Sequence, residues 1–239
     1  MPTDSPKTRV DYTDLTAATL RDNDRDLYLC TLFVPKAHRS ALLALYAFNA
    51  EVTRASRGSS EAAIGHMRLK WWYDALDDIF NGNPPHHPVA QALAAVVAQG
   101  LEKEALAAVL EAHAEDMVRE SDFSANAQQS RAAELWGSIF EQAASLAKSP
   151  TPHTEAAAKA WGLTMTLRRD AVPPDAVRIL HDAARANLDV ASGHLPMVLA
   201  GIYLKRIHSA GYDLSQPIAR RNDPGGLALP KLWWAARAG

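Results

Sequence analysis

Apolar residues recur at three- and four-residue spacing along most of the chain, and this period limits the fold more than any other feature. The clearest stripe follows Pro35, a residue that suits the first turn of a helix. Its members are Ala41, Leu42, Leu45, Phe48 and Val52. No segment alternates apolar and polar residues as a half-buried strand would. The sequence therefore predicts an all-α protein made of stacked amphipathic helices.

Segments rich in Gly, Pro and Asn separate the periodic stretches. The helix that contains Trp71 is predicted to end at a turn over residues 81–85, and a turn over residues 222–226 precedes a short C-terminal helix. Between these turns we predict helices over residues 89–99, 102–118, 130–147, 154–169, 175–191 and 196–209. No internal repeat or low-complexity linker divides the chain, so we expect one domain over residues 1–239.

Composition excludes several classes of protein. The 239 residues are 48% hydrophobic and 22% charged, which provides enough apolar material for one large core. The formal net charge of −2 gives no basic field of the kind that nucleic-acid-binding proteins carry, so we expect no nucleic-acid partner. Cys30 is the only cysteine, which excludes an internal disulfide and a zinc site made of several cysteines.

The sequence also bears on membranes. It has no apolar run near the roughly 20 residues that span a bilayer, and residues 1–12 lack the apolar core of a signal peptide. We expect a bacterial, cytoplasmic protein, with peripheral contact to the inner membrane as a further option. The segment Lys231-Leu232-Trp233-Trp234, with Arg237, has the indole and basic groups that suit a membrane interface. The alternative, which is the commoner arrangement, is a tryptophan pair that caps the bundle.

Five segments carry a resemblance to a known family. They are YLCTLFVP from Tyr28 to Pro35, LYAFN from Leu45 to Asn49, MRLKWWYDAL from Met67 to Leu76, HPVAQAL from His87 to Leu93 and GLTMTLRRD from Gly162 to Asp170. In this order and spacing they resemble successive helices of the squalene/phytoene synthase family, the head-to-head trans-isoprenyl diphosphate synthases. The resemblance implies the isoprenoid synthase fold, a single-domain orthogonal helical bundle with a central cavity.

The resemblance also indicates a loss of chemistry, because members of this family bind Mg²⁺ and a prenyl diphosphate through two aspartate-rich motifs. The register of the first motif holds Thr53, Arg54, Ala55, Ser56 and Arg57. In the second, Met165, Arg169 and Pro173 stand where the motif has Asn and two Asp. A guanidinium has no lone pair to donate to Mg²⁺ and repels the ion. We therefore expect no metal site, no cofactor and no catalytic residue.

Two short segments are closer to a non-catalytic group within the family than to its synthases. They are NPPHHPVA from Asn83 to Ala90 and the sequence Asn49-Ala50-Glu51. The group is that of the complex I assembly factor-like proteins. The resemblance implies a role in the assembly of respiratory complex I, through a protein partner or through an isoprenoid or lipid held in the old cavity.

The alternative is an active prenyl transferase that condenses two prenyl diphosphates. It requires Mg²⁺ as cofactor, with ligands recruited from Asp74, Asp78, Asp170 or Asp175. Two prolines lie between Asp170 and Asp175, so one regular helical face cannot present both carboxylates. This alternative therefore needs several unusual replacements at once.

A ligand in the cavity would contact side chains from several segments. The candidate ligand-binding residues are Phe33, Phe48, Asn49, Arg54, Arg57, Trp71 and Arg169. Arg54 and Arg57 either hold an anionic headgroup by bidentate hydrogen bonds or lie solvated on the outside of their helix. We expect Arg54 and Arg169 to face each other across the cavity. The aromatic candidates either line the cavity or pack in the core.

Two further expectations concern the surroundings of the cavity. The segment after Asp170 leads directly into the next helix, whereas the family has a longer basic loop there, so we expect a cavity that is more open to water. The helix over residues 102–118 carries an acidic strip made of Glu111, Glu115 and Asp116, continued by Glu120, with His113 among them. We expect this strip to face solvent, opposite the apolar face of the helix.

Overall fold

The computed structural model describes residues 12–57, 62–148, 152–191, 193–221 and 223–238, and its regular elements within these ranges are all helices. The helices are α1 Tyr12–Asn23, α2 Arg25–Thr31, α3 Lys36–Arg57, α4 Ala62–Phe80, α5 Pro88–Ala94, α6 Lys103–Asp116, α7 Ala125–Leu146, α8 Thr154–Arg169, α9 Pro174–Val190, α10 Leu195–Ser209 and α11 Ala228–Ala238. A 3₁₀ turn, Val97–Gln99, follows α5. The prediction of an all-α protein is confirmed.

Two departures of the observed helices from the predicted ones have local causes. α7 begins at Ala125, earlier than predicted, because Ser124 caps it: the Ser124 Oγ accepts a hydrogen bond from the N–H of Ala127 at 3.3 Å. The helix predicted over residues 89–99 is interrupted midway. The 3₁₀ turn that completes this stretch ends at Gly100, whose φ of 103° is a conformation that glycine adopts readily.

α3 is the helix around which the others pack. Residues 41–52 are all buried, so every face of this segment lies inside the protein. The helices α1, α2, α4, α5, α6 and α7 all contact α3. A helix surrounded in this way must be apolar on all sides, and only Asn49 and Glu51 interrupt the apolar run. Its last turn, with Thr53 and Arg57, emerges at the edge of this core.

α7 and α8 pack with their backbones close together. At Gly162 of α8, an added Cβ would lie 2.5 Å from the Cβ of Ala132 and 2.9 Å from its Cα. A side chain larger than hydrogen at position 162 would therefore force the two helices apart. Beside this contact, the rings of Trp136 and Trp161 pack edge to face with centroids 6.1 Å apart. The close approach brings the start of α7 next to the end of α8.

The last two helices, α10 and α11, are connected by a turn that a side chain of α10 holds in place. Arg206 of α10 donates to the backbone carbonyls of Asp223 and Pro224, at 2.7 and 2.9 Å, and so holds the turn before α11. The predicted C-terminal helix is confirmed. Asn222, which belongs to the predicted turn before this helix, lies outside the described residues, and so do residues 1–11. Among the helices of the described ranges, none combines the length and the apolarity that crossing a membrane requires.

Candidate functional site

The C-terminal ends of α3, α6 and α8 meet the first turns of α7, and Arg131 of α7 lies at the centre of this junction. The Arg131 guanidinium donates to both carboxylate oxygens of Asp116, at 2.5 and 2.9 Å. It also donates through Nη1 to Asp170 Oδ2 and to Thr166 Oγ1, each at 3.3 Å. The side chains of Arg131 and Asp116 are both mostly buried, so this bidentate pair is screened little by solvent.

Asp170 extends the junction to α3. Its Oδ1 accepts a hydrogen bond from Nη1 of Arg57, the last residue of α3, at 3.1 Å. Its backbone carbonyl accepts a hydrogen bond from Arg220 at 2.6 Å. Arg57, Asp170, Arg131 and Asp116 thus form one continuous series, here named the ion-pair chain, which joins α3, α8, α7 and α6.

His113 of α6 is buried beside the ion-pair chain and is hydrogen-bonded through Nδ1 to the hydroxyl of Ser56 at 3.0 Å. Burial lowers the pKa of His113 to about 4, and the charges of Arg57 and Arg131 contribute in the same direction. Burial alone would raise the pKa of Asp116, but its hydrogen bonds to Arg131 outweigh this effect and hold that pKa below its usual range. The expectation that this strip faces solvent is wrong for His113 and Asp116.

A second buried cluster joins α2, α8 and α10. Arg168 donates to Asp26 Oδ2 at 2.8 Å, and the hydroxyl of Tyr203 donates to Asp26 Oδ1 at 2.6 Å. The guanidinium of Arg168 also lies 3.6 Å from the centroid of the Tyr203 ring, a cation–π contact. Next to it, Arg169 donates to Asp24 at 3.4 Å. Burial raises the pKa of Asp24, and the charge of Arg169 offsets this only in part.

Between these two clusters lies a cavity of about 20 Å³. Its lining residues are Thr53, Arg57, His113, Arg131, Ala132, Leu135, Trp136, Gly162, Met165, Thr166 and Arg169. A cavity needs roughly 10–15 Å³ to hold one water, and drug-sized ligands occupy pockets of roughly 300–1,000 Å³. The space between the two clusters is therefore almost filled by side chains, while its greater exposure to water stays a prediction.

Comparison with known families identifies the family to which this chain belongs. A family model described as squalene/phytoene synthase matches residues 20–176, which is more than half of the chain. The chain belongs to the squalene/phytoene synthase family. The resemblance carried by the five sequence segments is confirmed, since all five lie within the matched range.

Two solved structures share the fold of this family member over nearly its whole length. A dehydrosqualene synthase in complex with ligand superimposes with a TM-score of 0.79 at 13% sequence identity and covers 95% of each chain. A squalene synthase from Alicyclobacillus acidocaldarius superimposes with a TM-score of 0.61 at 14% identity and covers 95% of this chain and 92% of that one. The isoprenoid synthase fold is confirmed.

Among curated proteins, the chain is similar to NADH dehydrogenase (ubiquinone) complex I, assembly factor 6, of Bos taurus. The two are 46% identical over 71 residues, which is 30% of this chain and 21% of that protein. The match thus spans about a fifth of the length of the curated relative. The matching assembly factors are eukaryotic and do not support the expected bacterial source.

In this member of the family, the residues around the cavity do not fit the Mg²⁺ that the synthase motifs imply. Asp116 and Asp170 both accept hydrogen bonds from Arg131, which lines the cavity, and Asp170 accepts one from Arg57 as well. Hard cations need free oxygen ligands and are repelled by guanidinium groups. In the described ranges, no group of three or more His, Cys, Asp or Glu side chains is placed to hold a metal.

The ligands that an active transferase would recruit are equally engaged or dispersed. Asp74 is exposed on α4 and pairs with Lys70 one turn away, at 2.9 Å. Asp170 belongs to the ion-pair chain, while Asp175 lies exposed in the first turn of α9. Among the described residues, these carboxylates form no group of three that could hold a metal.

Of the two candidate arginines of α3, only Arg57 reaches the cavity, where Arg169 also lies. Arg54 donates to Glu51 at 2.6 Å and lines a separate surface groove of about 240 Å³ with Trp71. The expectation that Arg54 faces Arg169 across the cavity is wrong. Thr53 and Arg57 lie one helical turn apart on the cavity side, and position 54 is rotated by about 100° from position 53.

The remaining candidate residues lie in the core or on the surface. Phe48 is completely buried and packs edge to face on Trp72 at 5.2 Å, and Phe33 is partly buried against the same core. Asn49 is buried, and its Oδ1 has no hydrogen-bond partner among the described residues. Trp71 is partly exposed beside Trp72. A role for any of them in ligand binding stays a prediction.

Sequence reasoning missed most of the residues that form the site. Arg131 is an isolated cation in the sequence of α7, and no local motif indicates its partners on α6 and α8. Asp26 and Arg168, which form a buried pair, are 142 residues apart. The sequence contained one electrostatic signal for this cluster. The acidic segment around Asp24 and Asp26 can neutralise Arg168 and Arg169, which are neighbours of each other in the sequence.

Proposed function

We propose that this chain is a non-catalytic member of the squalene/phytoene synthase family that assists the assembly of respiratory complex I through a protein partner. The observation that supports this most directly is the ion-pair chain, in which Arg57, Asp170, Arg131 and Asp116 neutralise one another at the position of the metal-binding motifs. Carboxylates and guanidinium groups that already pair with one another are not free to bind a metal ion or a diphosphate.

The reaction of the synthases sets two requirements that this site does not meet. A diphosphate leaving group needs hard cations that neutralise its developing charge. The carbocation that remains needs an enclosed apolar space that excludes water. Here the carboxylates are held by arginines, and the space of about 20 Å³ between the clusters has room for roughly one water molecule.

The role in assembly is supported by the similarity to complex I assembly factor 6, which is high over its short span. A fold that keeps its core but fills its cavity presents its surface for binding, and a rigid helical surface suits a protein partner. An isoprenoid or lipid in the old cavity remains a hypothesis that would require α7 and α8 to separate.

The first experiment tests catalysis. Purified protein is incubated with farnesyl or geranylgeranyl diphosphate and Mg²⁺ or Mn²⁺, and diphosphate release is measured against a heat-killed control. We expect no difference between the two. Metal-dependent release above the control would overturn the non-catalytic assignment.

The second experiment tests assembly in cells. Removal of the gene should lower the amount of assembled complex I on native gels, while complex II, as an internal control, stays unchanged. Expression of the wild type and of the double variant Asp74→Asn/Asp78→Asn should both restore assembly, because neither carboxylate has a role in the proposal. Normal complex I without the protein would contradict the assembly role, and failure of the double variant alone would favour a metal-dependent enzyme.

A further inference from the structure

Large apolar side chains that are close together in the sequence are exposed on α11 and just before it. Leu227, Leu229, Trp233 and Trp234 all lie within eight residues, and Leu227 and Trp234 are 73% and 68% exposed. Single exposed apolar residues are normal on protein surfaces, whereas a contiguous exposed group indicates a binding surface. We therefore expect this group of side chains to bind a partner.

The exposure follows from how α11 packs. Ala228 and Leu232, one turn apart, are buried and anchor α11 on the bundle, where it contacts α10. The two tryptophans that follow Leu232 point away from this anchor, and Trp234 lines an open groove with side chains of α10. The groove measures about 480 Å³, and its α10 residues are Met197, Val198, Gly201 and Ile202. The alternative of a tryptophan pair that caps the bundle does not describe this arrangement, because Trp233 and Trp234 are 45% and 68% exposed.

α11 is held in a fixed position. Besides the two hydrogen bonds from Arg206 to the preceding turn, the Asp223 carboxylate accepts a hydrogen bond from the N–H of Gly225 at 2.6 Å. The guanidinium of Arg237 lies 3.9 Å from the centroid of the Trp233 ring. The apolar side chains are thus presented by an element with a defined orientation, which lowers the entropic cost of binding.

The charged side chains of α11 are all basic. Lys231 and Arg237 are exposed on α11, which contains no acidic residue. Lys205 is exposed on α10, three residues beyond Ile202 and therefore on the same side of that helix. The neighbouring carboxylate of Asp223 is paired with Arg221 at 2.8 Å. The surface is accordingly apolar at its centre and basic at its edge.

We infer that α11 and the facing stripe of α10 form a membrane-docking surface for a bilayer with anionic headgroups. Trp233 and Trp234 would lie at the level of the headgroups, where indole rings are favoured, and the basic residues would contact lipid phosphates. The 11 residues of α11 are too few to span a bilayer, which takes about 20, so the helix would lie on the membrane.

Charge also distinguishes this partner from a second copy of the chain. A two-fold interface through this surface would place the same patch of each copy against the other. The basic side chains Lys231 and Arg237 of both copies would then lie in one interface, and like charges brought together in this way oppose association. An anionic membrane offers the complementary charge. This inference does not depend on whether the chain is catalytic.

The test is co-sedimentation of the purified protein with vesicles at low salt. One set contains phosphatidylcholine alone, and the other contains phosphatidylcholine and phosphatidylglycerol in a three-to-one ratio. We expect at least tenfold stronger partition to the anionic vesicles, reduced by added salt because the attraction is partly electrostatic. The double variant Lys231→Gln/Arg237→Gln should lose most of this preference.

The apolar part is tested with Trp234→Ser, which removes an exposed side chain, and with Met67→Ser as a matched control, since Met67 is 70% exposed on α4. Partition of the Trp234 variant should fall about tenfold, while the control should bind like the wild type, with both variants folded by circular dichroism. Equal binding of the Trp234 variant and the control, or no binding of the wild type to anionic vesicles, would overturn the inference. A dimer in light scattering that Trp234→Ser disrupts would assign the surface to a second copy instead.

Discussion

Arg57 and Asp170, which are 113 residues apart in the sequence, form an ion pair of 3.1 Å between the end of α3 and the end of α8. Arg57 occupies the register of the first aspartate motif, and Asp170 directly follows Arg169 of the second. The resemblance to the synthases implies aspartates that bind Mg²⁺ in both of these registers. Here arginines stand in both registers, at Arg57 and Arg169, and the two helices attract each other directly through Arg57 and the adjacent Asp170.

The first prediction concerns the centre of the ion-pair chain. Arg131→Met removes the guanidinium but keeps an apolar stem, and it leaves the mostly buried carboxylate of Asp116 without its main partner. Breaking a buried pair in this way typically costs about 3–5 kcal/mol, so the free energy of unfolding should fall by about 3 kcal/mol. Urea unfolding of the variant and the wild type measures this difference.

The matched control for Arg131→Met is Lys70→Met, because Lys70 also pairs with an aspartate but lies exposed on α4. Exposed helical pairs contribute about 0.3–0.5 kcal/mol, so this variant should unfold almost like the wild type. Similar losses for both variants would show that the ion-pair chain does not stabilise the junction.

The second prediction separates two contacts of Asp26. Asp26→Asn leaves the Arg168 guanidinium, whose side chain is only 5% exposed, without a counter-charge, and should lower the free energy of unfolding by about 3–5 kcal/mol. Tyr203→Phe removes only the hydroxyl that donates to Asp26 and keeps the ring beside Arg168, so its cost should be about 1.5–3 kcal/mol. Thermal and urea unfolding should rank the variants in this order, and a larger loss for Tyr203→Phe would contradict the role assigned to the charge.

The sequence predicted the helical class and most helix bounds because those depend on local periodicity. It predicted one apolar stripe for α3 but not that residues 41–52 are buried on every face, since periodicity does not reveal how many helices surround one segment. It did not predict α1, whose only fully buried residues are Thr16 and Leu20, too few for a visible stripe. These gaps arise wherever tertiary packing, and not local pattern, decides burial.

The site was less predictable for the same reason. The loss of the metal motifs could be read directly from Thr53–Arg57 and Arg169, because it depends on residue type in a known register. What replaced the metal depends on contacts between distant segments, such as Arg131 with Asp116 and Asp170. His113 and Asp116 were assigned to solvent because nothing in α6 indicates that α7 places a guanidinium over its acidic face.

The third prediction is a dependence of stability on pH. The ordinary pKa of His113 is 6.5, and burial with the neighbouring arginines lowers it to about 4 in the folded protein. Between these values the unfolded chain binds a proton that the folded protein does not, so the free energy of unfolding falls as the pH falls. The full loss from this residue is on the order of 3 kcal/mol.

The variant His113→Gln should remove this contribution. Urea unfolding from about pH 7 to about pH 4.5 should give a shallower dependence for the variant than for the wild type. Part of the slope should remain, because burial also lowers the pKa of His87 and His194. Parallel curves for the two proteins would show that His113 is not the residue that titrates.

The last prediction uses two glycines on the paired helices α7 and α8. Gly162→Ala places a methyl group 2.5 Å from the Cβ of Ala132 and should cost about 1–3 kcal/mol, although alanine favours a helix by about 1 kcal/mol over glycine. Gly137→Ala meets no atom within 4 Å and should stabilise the protein by about 0.5–1 kcal/mol. Adding Ala132→Gly to Gly162→Ala removes one clashing methyl group and should recover part of the lost stability. If Gly162→Ala were as stable as Gly137→Ala, α7 and α8 would not be in the close contact that fills the cavity.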